Sequence, residues 1–176
     1  MDTHQFLQFF GGRWRSQRSD HPFGEENGDD VRSVIEITAL GFNDPDLISI
    51  CQQYDVDPQT VLHPMKVSWE EESLSTNKPN GSALIVPVAI NPDSPNKGVI
   101  LSKQGKSTYE FSTDEALTIK TATAENVIEE RIWYGNPNLR FRVTTLLQAS
   151  KTSDRGDHLV KSSKFYSEIR INAPKP

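Results

Sequence analysis

The chain has 176 residues and a formal charge of −5, and 35 % of its residues are hydrophobic. With 10 Gly and 11 Pro, this composition favours one domain, residues 1–176, in which many turns separate short strands. The acidic balance and the dispersed Lys and Arg residues exclude a surface built for nucleic acid.

The sequence contains neither a membrane span nor the basic-then-apolar layout of a secretory signal in its first residues. We therefore expect the protein to remain where it is made, without a membrane partner. Its single cysteine, Cys51, cannot form an internal disulfide, which favours a reducing compartment. The histidines are too far apart in sequence to predict a metal site; they are His4, His21, His63 and His158.

Two short helices are predicted. Thr3 is expected to cap the first, which ends at Gly11 and has its apolar residues on one face, as a lid would. Asp44 followed by Pro45 is typical of a helix start and predicts the second. Cys51 lies on the apolar face of this helix, so we interpret it as a packing residue and not as a covalent relay.

The rest of the chain predicts strands, because residue types alternate with period two between Gly, Pro, Asn and Asp turns. The ten segments are 13–19, 31–40, 65–74, 82–90, 98–103, 107–111, 116–123, 126–134, 139–147 and 160–171. Short connections between neighbours indicate an antiparallel meander. Closure removes the exposed edges, so the predicted fold is all-β with two short helices: a ten-stranded antiparallel barrel able to hold one small ligand.

Several strands carry charge where an apolar residue is expected. Arg140 and Arg142 share one face of their strand, and apolar residues such as Phe141 occupy the other. In an ordinary barrel the arginines would face water, but in a ligand-binding barrel the assignment can invert. Either orientation is compatible with the alternation alone.

Aromatic and charged residues also alternate along single strands, as with Trp14 and Arg18, Trp69 and Glu71, and Tyr166 and Glu168. Inside a cavity, this mixture suits a flat, conjugated anion such as a linear tetrapyrrole. The protein's aromatic rings would stack on the ligand, and its guanidinium groups would pair with the ligand's carboxylates. The protein's own carboxylates would accept hydrogen bonds from the ring N–H groups of the ligand. Ordinary core packing explains the three tryptophans equally well; they are Trp14, Trp69 and Trp133.

Six blocks, in this order, resemble the S-type phycobiliprotein lyases (the CpcS/CpeS family). The blocks are WRSQRSDH from Trp14, CQQYDVDP from Cys51, VSWE from Val67, EERIWY from Glu129, PNLRFR from Pro137 and SEIR from Ser167. The resemblance covers essentially the whole chain. Many relatives have threonine where this chain has Ser19, and both residues carry a hydroxyl group.

The resemblance implies a barrel like those of lipocalins and fatty-acid-binding proteins. Such a lyase binds an open-chain bilin non-covalently and attaches it through a thioether to a cysteine of a phycobiliprotein subunit. The bilin, phycoerythrobilin or phycocyanobilin, is the substrate, and no cofactor of the protein's own is implied. The acceptor would be a phycoerythrin or phycocyanin subunit, and the location the cyanobacterial cytoplasm or a plastid stroma.

Residue by residue, the resemblance implies a bilin pocket formed by two sets of positions. The primary set is Arg18, Trp69, Glu130, Arg140 and Glu168, and the secondary set is Arg142, Trp133 and His21. We expect Arg18 and Arg140 to pair with the propionates and Trp69 to stack on a ring. Glu130 or Glu168 is expected to act as the catalytic carboxylate. It would accept hydrogen bonds from the pyrrole N–H groups and protonate the bilin as the thiol adds.

Two other functions fit the same residues. A barrel with arginine-clamped carboxylates can be a non-enzymatic carrier of a bilin, a fatty acid or another amphipathic anion. The chain can also be one half of a heterodimer with a related lyase subunit, and a homodimer is open as well.

Overall fold

The computed structural model describes residues 1–22, 30–72, 78–149 and 158–171. These residues form a closed barrel of ten antiparallel strands in which each strand pairs with its sequence neighbours and β1 pairs with β10. The strands are β1 (Gly12–Pro22), β2 (Asp30–Ala39), β3 (Met65–Glu71), β4 (Asn80–Ala89), β5 (Lys97–Ser102), β6 (Gly105–Phe111), β7 (Leu117–Ala122), β8 (Asn126–Asn136), β9 (Leu139–Ala149) and β10 (His158–Arg170). The predicted fold class is confirmed. The strand predicted over 65–74 ends at Glu71, and 73 and 74 lie outside the described residues.

The first helix, α1 (Thr3–Gln8), begins one residue earlier than predicted. Its cap is Asp2, whose carboxylate accepts a hydrogen bond from the Gln5 backbone N–H at 2.8 Å, while the Gln5 side chain accepts from the Asp2 N–H. Thr3 lies in the first turn and is buried, and its hydroxyl hydrogen-bonds to Asn96 at 3.0 Å. The prediction of Thr3 as the cap is wrong because the carboxylate of Asp2, one residue upstream, reaches the free N–H of Gln5.

The apolar face of α1 fills one end of the barrel. Phe6 and Leu7 of the helix, and Phe10 just after it, pack in a single cluster with Trp14 and with inward-facing residues of seven other strands. Phe6 is fully buried, and its ring centroid lies 5.0 Å from that of Phe111. The helix is therefore a plug that forms part of the core.

The second helix, α2 (Pro45–Gln53), begins at the predicted cap, Asp44. It packs on the outside of β4 and β5, where Ile50 and Cys51 meet Val86 and Leu101. The alternate positions of the same two strands face the interior cluster, so both faces of β4 and β5 are apolar. The interpretation of Cys51 as a packing residue is consistent with this position, and burial raises the pKa of its thiol.

A short 3₁₀ helix (Pro58–Thr60) follows α2 and leads into β3. In the part of the chain that the structure describes, no helix is long and apolar enough to cross a membrane. The same residues contain no group of three or more His, Cys, Asp or Glu side chains that could hold a metal ion.

Candidate functional site

The polar residues of β1, β8, β9 and β10 meet because of the strand register. Cross-strand partners share a face of the sheet, so a charged position on one strand lies beside charged positions on its neighbours. Three rows of inward-facing side chains result. From the α1 end outward they are Ser16, Glu168, Arg140 and Tyr134; then Arg18, Tyr166, Arg142 and Ile132; then Asp20, Lys164, Thr144 and Glu130.

The orientation that the alternation left open is thereby decided. Arg140 is only 4 % exposed, whereas Phe165 and Ile169 on the outer face of β10 are 37 % and 58 % exposed. The arginines face the interior, and apolar side chains of the same strands face outward. This inversion is typical of a barrel whose interior holds a polar guest.

A cavity of about 390 Å³ lies between the polar rows and the opposite side of the barrel. One wall is polar and comes from β1, β8, β9 and β10; its residues are Ser16, Arg18, Glu130, Arg142 and Tyr166. The other wall comes from β2, β3 and β4 and is mostly apolar; its residues are Ser33, Ile35, Val67, Trp69, Glu71, Ala83 and Ile85. The cavity thus suits a flat ligand that is polar along one edge.

An ion pair between Arg140 and Glu168 lies at the α1 end of the polar wall. Nε of Arg140 donates to Oε2 of Glu168 at 2.6 Å, and the glutamate is fully buried. The guanidinium carbon of Arg140 lies 4.8 Å from the ring centre of Phe10 and 4.6 Å from that of Trp14. Arg140 is thus enclosed by core residues and an acid.

Arg142 connects this buried pair to the cavity. One terminal nitrogen lies 3.3 Å from Oε1 of Glu168 and the other 3.4 Å from Oε1 of Glu130, and the guanidinium carbon lies 3.9 Å from the ring centre of Tyr166. Burial lowers the pKa of Arg142, but the negative charges of Glu168 and Glu130 outweigh this effect and raise the pKa above its ordinary value. Arg142 is therefore a permanent cation in the cavity wall.

A second cation, Arg18, lies on β1. Its Nε is 2.9 Å from Oδ1 of Asp20, and Asp20 is also 3.8 Å from the Lys164 ammonium group. The Arg18 Nε and the Asp20 Oδ1 are both buried, yet they are not aligned for a hydrogen bond and have no other partner among the described residues. Arg142 Nε is likewise without a partner there. These two N–H groups are donors that a ligand carboxylate could use.

The residues predicted from the sequence fall into three groups. Arg18, Trp69, Glu130 and Arg142 line the cavity. Arg140 and Glu168 lie in the buried row behind it and contact the cavity through Arg142 and Ser16. Of the remaining two, Trp133 faces away from the cavity, and the side chain of His21 is not among the described residues.

Trp133 lies on the outer face of β8, where its ring packs against Phe141 with centroids 5.7 Å apart. The structure therefore does not bring it to the cavity, because it shares a face with exposed Arg131 and not with Glu130. His21 lies in β1, but its side chain lies outside the described part. Tyr166 was not among the predicted site residues, although it has the same period-two phase as Glu168 and lies directly opposite both Arg18 and Arg142.

The fold is a closed β-barrel of the lipocalin type, and its cavity has one charged wall and one mostly apolar wall. The family model described as CpeS-like protein matches residues 2–171. The chain belongs to the CpeS-like family, as the six sequence blocks predicted.

Similar proteins agree with this assignment. The chain is 35 % identical to chromophore lyase CpcS/CpeS 3 of Trichodesmium erythraeum, over 97 % of this chain and 99 % of the relative. It is 32 % identical to chromophore lyase CpcS/CpeS of Thermosynechococcus vestitus, over 100 % and 96 %. Among solved structures, the S-type phycobiliprotein lyase CPES from Guillardia theta superposes with a TM-score of 0.82 at 25 % identity, covering 99 % of this chain and 95 % of that one. The predicted enzyme class, a lyase, is confirmed by these relatives.

Proposed function

We propose that the protein binds an open-chain bilin non-covalently in this cavity and attaches it through a thioether to a cysteine of a phycobiliprotein subunit. The substrate is phycoerythrobilin or phycocyanobilin, and the acceptor is a phycoerythrin or phycocyanin subunit. The observation that supports this proposal most strongly is the cavity with two unlike walls. A bilin has an extended conjugated surface for the apolar wall and carries its propionates and pyrrole N–H groups as polar partners for the other.

Arg18 and Arg142 are the proposed partners of the two propionates. Both line the cavity. The buried Nε–H of Arg142 has no hydrogen-bond partner among the described residues, and that of Arg18 faces Asp20 at 2.9 Å without being aligned for a hydrogen bond. The expectation from the sequence assigned one propionate to Arg140, but Arg140 lies behind the residues that line the cavity, and its Nε is held by Glu168 at 2.6 Å. On binding, each propionate would replace a protein carboxylate as the partner of its arginine. One would replace Asp20 at Arg18, and the other would replace Glu130 at Arg142.

Glu130 is the proposed catalytic carboxylate. It lines the cavity, where its Oε1 accepts from the Thr144 hydroxyl at 3.2 Å and from Arg142 at 3.4 Å. Once a propionate takes over Arg142, the Glu130 carboxylate becomes available to the pyrrole N–H groups. Glu168 is fully buried and bound by Arg140, Arg142 and Ser16, so we assign it the positioning of those donors.

The reaction balances without a further reactant. The sulfur of the acceptor cysteine bonds to the carbon of the vinylic group on ring A, the double bond of that group opens, and the thiol proton ends on the tetrapyrrole. The protein supplies a proton path through Glu130 and holds the bilin in one conformation. Fixing that conformation directs the thiol to one carbon and disfavours other additions.

The test is reconstitution of the purified protein with each bilin and each acceptor subunit. We expect the visible spectrum of the bilin to change on mixing with the protein, and covalent bilin to appear on the acceptor in a denaturing gel. Arg142→Ala should weaken binding at least tenfold. Arg131→Ala is the matched control, because Arg131 lies on the outer face of the same barrel and pairs with Asp114.

Three results would contradict the proposal. An unchanged bilin spectrum together with tight fatty-acid binding would indicate a carrier of other anions. Binding without transfer, restored only when a related subunit is added, would indicate one half of a heterodimeric lyase. Equal effects of Arg142→Ala and Arg131→Ala would show that the cavity is not the binding site.

A further inference from the structure

Gly81 on β4 lies directly opposite Trp69 on β3 in the strand register. A Cβ atom built on Gly81 would lie 2.4 Å from Cζ2, 2.8 Å from Cε2 and 3.0 Å from Cη2 of the Trp69 indole. Separations below 3.0 Å are not tolerated by real Cβ atoms. The indole therefore occupies the volume that any side chain at position 81 would need.

Backbone geometry does not explain this glycine. Among the described residues, the glycines with positive φ are Gly12 and Gly105, and Gly81 has a φ that other residues adopt. A glycine within a strand weakens it and often marks the close approach of another group. At Gly81 that group is the Trp69 ring.

The position of this ring determines the shape of the cavity. Trp69 has the largest side chain on the apolar wall and is 40 % exposed. Lying across Gly81, its indole follows the barrel wall and leaves the space of about 390 Å³ open. Because Trp69 lines this space, an indole displaced from β4 would change the shape of the cavity wall.

We propose that Gly81 is a positioning residue for ligand binding. Its missing side chain holds the Trp69 indole flat against β4, which makes the ring a stacking platform and keeps the cavity wide enough for a flat conjugated ligand. This inference rests on the proposed bilin site, since it states how the apolar wall of that site is formed. It adds the requirement that position 81 carry no side chain as long as position 69 is tryptophan.

A double-mutant cycle tests the proposal. We would measure bilin affinity by visible absorbance for the wild type, Gly81→Ala, Trp69→Ala and the double variant. Gly81→Ala is expected to weaken binding at least tenfold and to shift the bound bilin's absorbance. In the Trp69→Ala background the same substitution should change affinity less than twofold, because the ring that clashes is gone. Gly41→Ala is the matched control, since a Cβ there meets nothing within 4 Å.

A second readout does not depend on bilin. The Trp69 fluorescence, obtained as the difference between each protein and its Trp69→Phe counterpart, should become more accessible to acrylamide in Gly81→Ala and remain unchanged in Gly41→Ala. If the wild type binds no bilin, the proposed function fails while this quenching still decides the role of Gly81. Equal loss of affinity with and without Trp69, or unchanged quenching in Gly81→Ala, would overturn the inference.

Discussion

Replacing Glu168 by glutamine removes the negative charge on which buried Arg140 and partly buried Arg142 depend. Its carboxylate accepts from Arg140 at 2.6 Å and lies 3.3 Å from Arg142, and it has no solvent exposure. Glutamine keeps the shape but offers one oxygen to two cations and turns an NH₂ group toward the other donor. Arg140 is left as a buried charge with no acid within reach among the described residues.

Breaking a buried pair by removing one partner costs about 3–5 kcal/mol, because the other charge stays desolvated and uncompensated. With a urea dependence of about 2 kcal/mol per molar, the unfolding midpoint of Glu168→Gln should fall by about 1.5–2.5 M. Arg140→Met should cost less, because Glu168 keeps Arg142 as a partner. The double variant Glu168→Met with Arg140→Met should recover most of the loss, since both charges leave the core together.

Urea unfolding followed by circular dichroism measures these midpoints. Glu110→Gln is the matched control, because Glu110 forms a pair of 2.9 Å with Lys97 in which both side chains are more than half exposed, and such pairs contribute under about 1 kcal/mol. A Glu168→Gln midpoint no lower than that of Glu110→Gln would refute the reasoning. So would a double variant less stable than either single variant.

Three further predictions follow from the core. Phe6→Ala should lower the free energy of unfolding by about 3–5 kcal/mol, measured by urea unfolding, because Phe6 is fully buried in the α1 plug. Cys51→Ala should retain bilin transfer in the gel assay, because the thiol is buried and its raised pKa keeps it protonated; loss of transfer in a folded variant would contradict this. Burial raises the pKa of Tyr109 and Tyr134 to about 12. Their phenols ionise near pH 10 when unfolded, so the free energy of unfolding should be unaffected by them below pH 10 and fall between pH 10 and about 12.

The barrel could be predicted from the sequence because its signals are local. Period-two alternation between turn residues placed ten strands, and the Asp44–Pro45 pair placed the start of α2. Their ends were less certain, since the last residues of a strand depend on cross-strand partners that the local pattern does not contain. Thr3 shows the same limit, because two neighbouring residues can cap a helix and only the geometry selects Asp2.

The site could be predicted only in part. Alternation shows that Arg140 and Arg142 share a face, but not that this face is internal or that the two arginines lie at different depths. Those properties come from barrel closure and from the α1 plug, which encloses Arg140 with Phe10. The position of Trp133 outside the cavity could be read from the sequence, since its phase matches Arg131 and not Glu130. The contact of Gly81 with Trp69 depends on the register of β3 and β4 across the connection 72–79, which no local pattern specifies.

The crystal structure of the protein in complex with a bilin tests the central claim most directly. We expect the tetrapyrrole between Trp69 and Arg142, with its propionates within hydrogen-bond distance of Arg18 and Arg142 and its pyrrole N–H groups facing Glu130. A second, larger apolar groove of about 610 Å³ lies outside the barrel's polar rows, beside His4 and His63. Bilin bound in that groove, with the Arg18–Asp20 and Arg142–Glu130 pairs unchanged, would contradict the account.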